Sequence, residues 1–170
     1  MNVFDFALKM EQDGKAYYEK LAKDCRLPGL KGIFTRLAAD EQKHYETFQR
    51  LQTEGGQVAM ADSGALEEAQ NIFAELIRNK DKAEAGDDPE GYRHAMKLEA
   101  DSFRLYEDAA AKEQDEGTKA LLLRIAEEEH RHFTILENVY NFINAPSQYL
   151  AWREFSNLEE FRNFGRKVDQ

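Results

Sequence analysis

Two short motifs in this chain set a carboxylate and an imidazole three residues apart. They are Glu41-x-x-His44 and Glu129-x-x-His132. On a helix that spacing puts acid and histidine on neighbouring turns of one face. Around the first motif, Ile33, Phe34, Leu37, Phe48 and Leu51 mark the same face as a buried stripe. An ionisable pair on such a stripe is costly unless something compensates it, and a metal ion does so. Glu11 and Glu99 are further acids on otherwise apolar stripes, which makes six candidate ligands: Glu11, Glu41, His44, Glu99, Glu129 and His132. Four carboxylates neutralise two divalent ions. Two of them can bridge, two can bind terminally, and each histidine adds one neutral nitrogen. Asp40 and Glu128 sit one turn before the histidines, placed to accept a second ring N–H. Tyr18 and Tyr106 lie two turns beyond Glu11 and Glu99, where each phenol can reach a carboxylate or a bound oxygen species. The oxygen-rich set suits two iron ions, and it accepts manganese or a mixed pair equally.

The motifs belong to an internal duplication. Glu129 and His132 follow Glu41 and His44 by 88 residues, and residues 4–51 laid on 92–139 at that offset match in thirteen of 48 pairs. Ala7/Ala95, Glu11/Glu99, Asp13/Asp101, Tyr18/Tyr106, Glu19/Glu107 and Arg36/Arg124 are among them. Two copies are too few for a solenoid, so the expectation is two helical hairpins forming one bundle.

Four long helices must position the six residues. Apolar spacing predicts helices at about 3–24, 29–53, 89–114 and 118–143. Leu27-Pro28-Gly29 and Glu116-Gly117 are read as the hairpin turns, and Asp88-Pro89 as a helix start with Asp88 as N-cap. Residues 54–88 join the hairpins and regain helical spacing over 65–80. A helix of 25 residues is about 37 Å long. That connection can therefore cross the whole bundle and reverse the second hairpin relative to a simple up-down-up-down arrangement. The fold expected is all-α: a four-helix bundle over 1–145 with its crossover at 54–88. The extension at 146–170 carries Tyr149, Trp152, Phe155, Leu158, Phe161 and Phe164. It is too aromatic for a disordered tail and should fold as short helices on the bundle or on another subunit.

Composition narrows the classes. Three prolines, ten glycines and 33% charged residues favour helix, and 170 residues suffice for one domain. The net charge of −10 argues against nucleic acid as a partner. Cys25 stands alone, so neither a disulfide nor a Cys-x-x-Cys metal site can form within the chain. No apolar run approaches a membrane span, and the N-terminus lacks a secretory pattern, so a cytoplasmic protein is expected.

The pattern Glu11, Glu41-x-x-His44, Glu99 and Glu129-x-x-His132, with Tyr18 after the first glutamate, resembles the ferritin-like domain of rubrerythrins over residues 3–143. The tail residues Glu154-Phe155 and Leu158-Glu159-Glu160-Phe161 resemble those of rubrerythrin-related bacterial and archaeal proteins. The resemblance implies a non-haem di-iron centre that reduces hydrogen peroxide or dioxygen, usually in a homodimer. Two departures stand out. The four-cysteine rubredoxin domain is missing, so electrons must come from a separate donor such as a rubredoxin-like protein. Rubrerythrins also carry an extra glutamate where this chain has Ser102, whose repeat mate is Gly14; without it the site is more symmetric. The alternatives are an iron-buffering or storage protein without turnover, and a metal-free scaffold whose tail binds a partner.

Overall fold

The computed structural model describes residues 2–78, 89–144 and 158–165. Helix α1 spans Val3–Asp24 and starts with a capping box, in which Asp5 N–H donates to Asn2 Oδ1 at 2.9 Å and Asp5 answers with its carboxylate. Helix α2 spans Pro28–Glu54. Pro28 is its first residue, where a missing N–H costs nothing, and Gly55 at φ 68° ends it. Helices α3, α4, α5 and α6 span Ala65–Arg78, Pro89–Lys112, Glu116–Asn144 and Leu158–Asn163. The all-α expectation holds, since every regular element among the described residues is helical. The expected N-cap Asp88 and the tail residues Tyr149, Trp152 and Phe155 lie outside the described residues.

Both expected turns are corrected, and the first is shifted because Pro28-Gly29 already belongs to the first turn of α2, with the chain reversing over residues 25–27. Glu116-Gly117 is not the turn between α4 and α5 but the first turn of α5. The chain reverses just before it, and Asp115 caps the helix by accepting Thr118 N–H at 2.8 Å. Gly117 serves packing instead: a Cβ there would lie 2.3 Å from the carbonyl oxygen of Gly56, where the chain leaving α2 crosses the start of α5.

Hairpin α1/α2 packs on hairpin α4/α5, and cross-hairpin contacts fix the directions. Tyr18 meets Glu99 while Tyr106 meets Glu11, so α1 and α4 run antiparallel. His44 meets Glu128 while His132 meets Asp40, so α2 and α5 are antiparallel too. With antiparallel hairpins, α2 and α4 must then run parallel, and the connection between them has to travel the length of the bundle. Helix α3 lies on that path against α2 and α5, burying Ala65, Ala69, Phe73 and Leu76. Phe73 meets Phe142 of α5 edge to face.

The core is layered along the bundle axis. Phe34 stacks on Tyr92 at 5.4 Å on one side of the Glu41/His44 level, and Phe48 meets Tyr106 at 5.1 Å on the other. Each such ring contributes roughly 1.5–3 kcal/mol by leaving water. The polar level between them is thereby cut off from solvent along the axis. Among the described residues no helix is long and apolar enough to cross a membrane.

Candidate metal centre

All six sequence-predicted ligands converge at that level, and each is at most 3% exposed. Glu11 comes from α1, Glu41 and His44 from α2, Glu99 from α4, Glu129 and His132 from α5. Their oxygen and nitrogen atoms fall into two overlapping groups. One is Glu11, Glu41, His44 and Glu129; the other is Glu41, Glu99, Glu129 and His132. Glu41 and Glu129 belong to both, the positions bridging carboxylates need. His44 Nδ1 lies 2.8 Å from Glu129 and 3.5 Å from Glu11; His132 Nδ1 lies 3.0 Å from Glu41 and 3.5 Å from Glu99. Donors around one small divalent ion, with bonds of about 2.1 Å, stand about 3 Å apart. These spacings match that value.

One atom of each of these six side chains lacks a hydrogen bond. Glu11 Oε2, Glu41 Oε1, His44 Nδ1, Glu99 Oε2, Glu129 Oε1 and His132 Nδ1 are buried with no hydrogen-bond partner. Buried polar atoms are nearly always paired, so one orphan from each of six converging side chains is a coordination shell in all but the ions. The donor chemistry therefore fits a dinuclear carboxylate–histidine site.

The Nε2 atoms of both histidines and one oxygen each of Glu11 and Glu99 are held, always across the repeat. His44 Nε2 pairs with Glu128 at 2.7 Å, and His132 Nε2 with Asp40 at 3.0 Å. Asp40 and Glu128 thus orient the histidine of the opposite hairpin, not the one on their own helix. Tyr18 donates to Glu99 and Tyr106 to Glu11, again exchanging partners. The sequence reading missed two supporting residues. Lys43 reaches Glu128 at 2.9 Å, and Ser63 in the crossover donates to Asp40. Lys43 has a cationic repeat mate in Arg131, a signal visible in the sequence; Ser63 has none.

Electrostatics without metal shows what the site needs. Burial pushes the Glu11 carboxyl up to about 8, with the charge of Glu41 adding to it. Burial, then the charges of Glu99 and Glu11, raises Glu129 as well. Burial alone would deprotonate His44, but the Glu11 charge, the bond to Glu128 and the nearby Glu129 drive it well above its ordinary range. His132 behaves alike, with Glu99 supplying the largest opposing charge. Asp40 and Glu128 go the other way. Burial opposes their ionisation, yet bonding to His132 and His44 outweighs it, and Glu128 falls to about 2. Protons stand where cations are wanted.

The rubrerythrin family model matches residues 2–140. The chain belongs to the rubrerythrin family. No curated protein and no solved structure gives a match. Membership agrees with the all-α bundle and with the paired Glu/His clusters, and it makes this a ferritin-like protein of the di-iron class. Ser102, which stands where the extra rubrerythrin glutamate was expected, is buried beside the centre and lines a small cavity with Gly14 and Tyr18.

Proposed function

We propose that this rubrerythrin-family chain is a non-haem di-iron oxidoreductase that reduces hydrogen peroxide, or dioxygen, with electrons from a separate donor. The observation that carries the reading is the cavity between α1 and α4. It measures about 70 Å³ and is lined by Glu41, Glu99 and Glu129 together with Met10, Gly14 and Ser102. It holds a few water-sized molecules and no organic substrate. Both carboxylates shared by the two ligand groups face it, so a small oxidant placed there meets both metal positions. A pair of ferrous ions would supply one electron each to the oxidant. The protein's own part is to hold four carboxylates at one level, keep the histidine Nδ1 atoms aimed inward through Asp40 and Glu128, and exclude bulk water with the aromatic layers. Tyr18 and Tyr106 anchor the terminal carboxylates Glu99 and Glu11 and place O–H groups beside the reacting region. Asp13 and the three glutamates make the cavity wall acidic, which suits a neutral molecule better than an anion.

The test is metal content and peroxide consumption. Protein reconstituted anaerobically with ferrous iron should bind about two ions per chain, and peroxide should convert the reduced form within seconds to an oxo-bridged ferric spectrum. Two irons without a peroxide response would favour iron handling, and failure to bind metal would leave the six residues as a structural set.

A further inference from the structure

The duplication relates two faces of the bundle that the structure treats differently. On the α4/α5 face lies α6. The Phe161 ring packs on Phe103, His130 and Phe133 at 4.8, 4.4 and 4.7 Å. Arg104 donates to the carbonyl oxygens of Arg162 and Phe164 at 2.7 and 2.9 Å, and Arg162 pairs with Glu107 at 2.5 Å. Shifted back by 88 residues, Phe103, Arg104, Glu107, His130 and Phe133 become Lys15, Ala16, Glu19, Gln42 and Tyr45. Those five residues line an open groove on the α1/α2 face, and the buried ligand Glu11 forms part of its wall. Among the described residues, α6 thus covers one of two equivalent faces, and the other carries an open groove.

The open face also differs in charge. Two of its three aromatic positions carry Lys15 and Gln42, which hydrogen-bond to each other at 3.0 Å, while the third keeps an aromatic ring in Tyr45. The groove continues along α1 and α2 past Lys23 and Lys31 over a low floor of Ala22, Ala38 and Ala39. Three lysines flank it against Glu19, which pairs with Lys15 at 3.8 Å, and the buried ligand Glu11, so Lys23 and Lys31 carry the excess positive charge in a chain whose net charge is −10. A cationic strip on an anionic molecule selects acidic partners and orients them before contact.

We propose that the α1/α2 groove is the docking face for a small acidic electron-transfer protein. This rests on the proposed function, in which a separate donor supplies the electrons. Hydrogen peroxide takes two electrons and two protons to give two waters, and two successive one-electron donors restore the reduced protein. The groove brings such a donor against Glu11, a ligand of the centre, whereas α6 holds it off the Glu99 side.

Zinc-substituted rubredoxin, acidic and unable to transfer electrons, is the binding probe. Titrated into the iron-loaded protein, it should bind at least tenfold more weakly when ionic strength is raised from low to physiological values. The charge-reversed variant Lys15→Glu/Lys23→Glu/Lys31→Glu should weaken binding at least tenfold at low salt, while Lys112→Glu stays within twofold of the parent. Reduction of the oxidised protein by reduced iron rubredoxin should slow in parallel, and reduction by dithionite should not. Binding that ignores salt, a triple variant that binds like the parent, or a triple variant whose oligomeric state changes would overturn the docking face; the last would make the groove a self-interface. Peroxide consumption driven by dithionite needs no docking, so its absence in the unaltered protein would instead overturn the proposed function.

Discussion

His44 and His132 each face two kinds of carboxylate, and the two ring nitrogens separate them. Nε2 is tied to Glu128 or Asp40, which leaves Nδ1 aimed at the ligand glutamates. The outer carboxylates therefore choose the tautomer. Replacing Asp40 by Ala should weaken metal binding about 10- to 100-fold, and chiefly at the position next to His132 rather than His44; anaerobic chelator competition on Asp40→Ala and Glu128→Ala, read with the two positions resolved, checks this. If Asp40→Ala weakened the His44 position instead, the crossed pairing would be wrong. Glu41 and Glu129 stand in both ligand groups. Glu41→Ala/Glu129→Ala should thus drop metal content from about two per chain to near none by elemental analysis. The six candidate ligands were legible in the sequence because each is an ionisable residue on an apolar stripe, repeated at one offset. The crossing of Asp40 to His132 was not, because periodicity tells which face a residue occupies and not which helix that face meets.

At the scale of the helix, most ends follow from local chemistry: the Asn2/Asp5 box, Pro28 as first residue, Gly55 past the end. Glu116-Gly117 misled because a glycine after a polar run reads as a turn, while its actual cause lies 61 residues away in the crossing of Gly56. The two explanations predict opposite signs for one substitution. Were Gly117 merely a helical residue, Gly117→Ala would stabilise α5 by up to about 1 kcal/mol. With a backbone carbonyl 2.3 Å from the new Cβ, the expected outcome is a loss of roughly 1–3 kcal/mol, measured by urea unfolding. A rise in stability would refute the close crossing. Helix α6 makes its own test. Phe161 is fully buried against α4 and α5, so Phe161→Ala should release α6, seen as faster amide exchange in the 158–165 segment, with a stability loss of up to about 3–5 kcal/mol if α6 unfolds with the bundle. Unchanged exchange there would show that Arg104, the Arg162–Glu107 pair and the Phe164 contact with Phe133 hold the segment without Phe161.

For the whole molecule, the buried level makes stability depend on metal and on pH in opposite senses. Without metal, Glu11 ionises near 8 when folded against its ordinary 4.5, so the folded state loses ground as pH rises between those values. The histidines act in the same direction. Their folded values are raised above 6.5, so the stability they add below 6.5 is lost as pH climbs through the raised values. Asp40 and Glu128, which are lowered, contribute above their ordinary values and fail only in acid. The metal-free protein should therefore melt at falling temperature from pH 5 to pH 9, while excess ferrous iron should raise its melting temperature more at each higher pH, because the metal displaces protons. Calorimetry of both forms decides it, and a flat metal-free profile would refute the assignment.

The crossed partnership of the hairpins also bears on how the protein is made. A hairpin emerging alone from synthesis carries Glu11, Glu41 and His44, but the Glu128 that orients His44 and the Glu129 that completes its shell are still to come. A single hairpin is thus a poor chelator, and a metal ion met early has no complete shell in which to stay. Tight capture waits until both hairpins have docked. Metal loading would then mark the completion of assembly, and a chain halted halfway would not carry off a reactive metal ion.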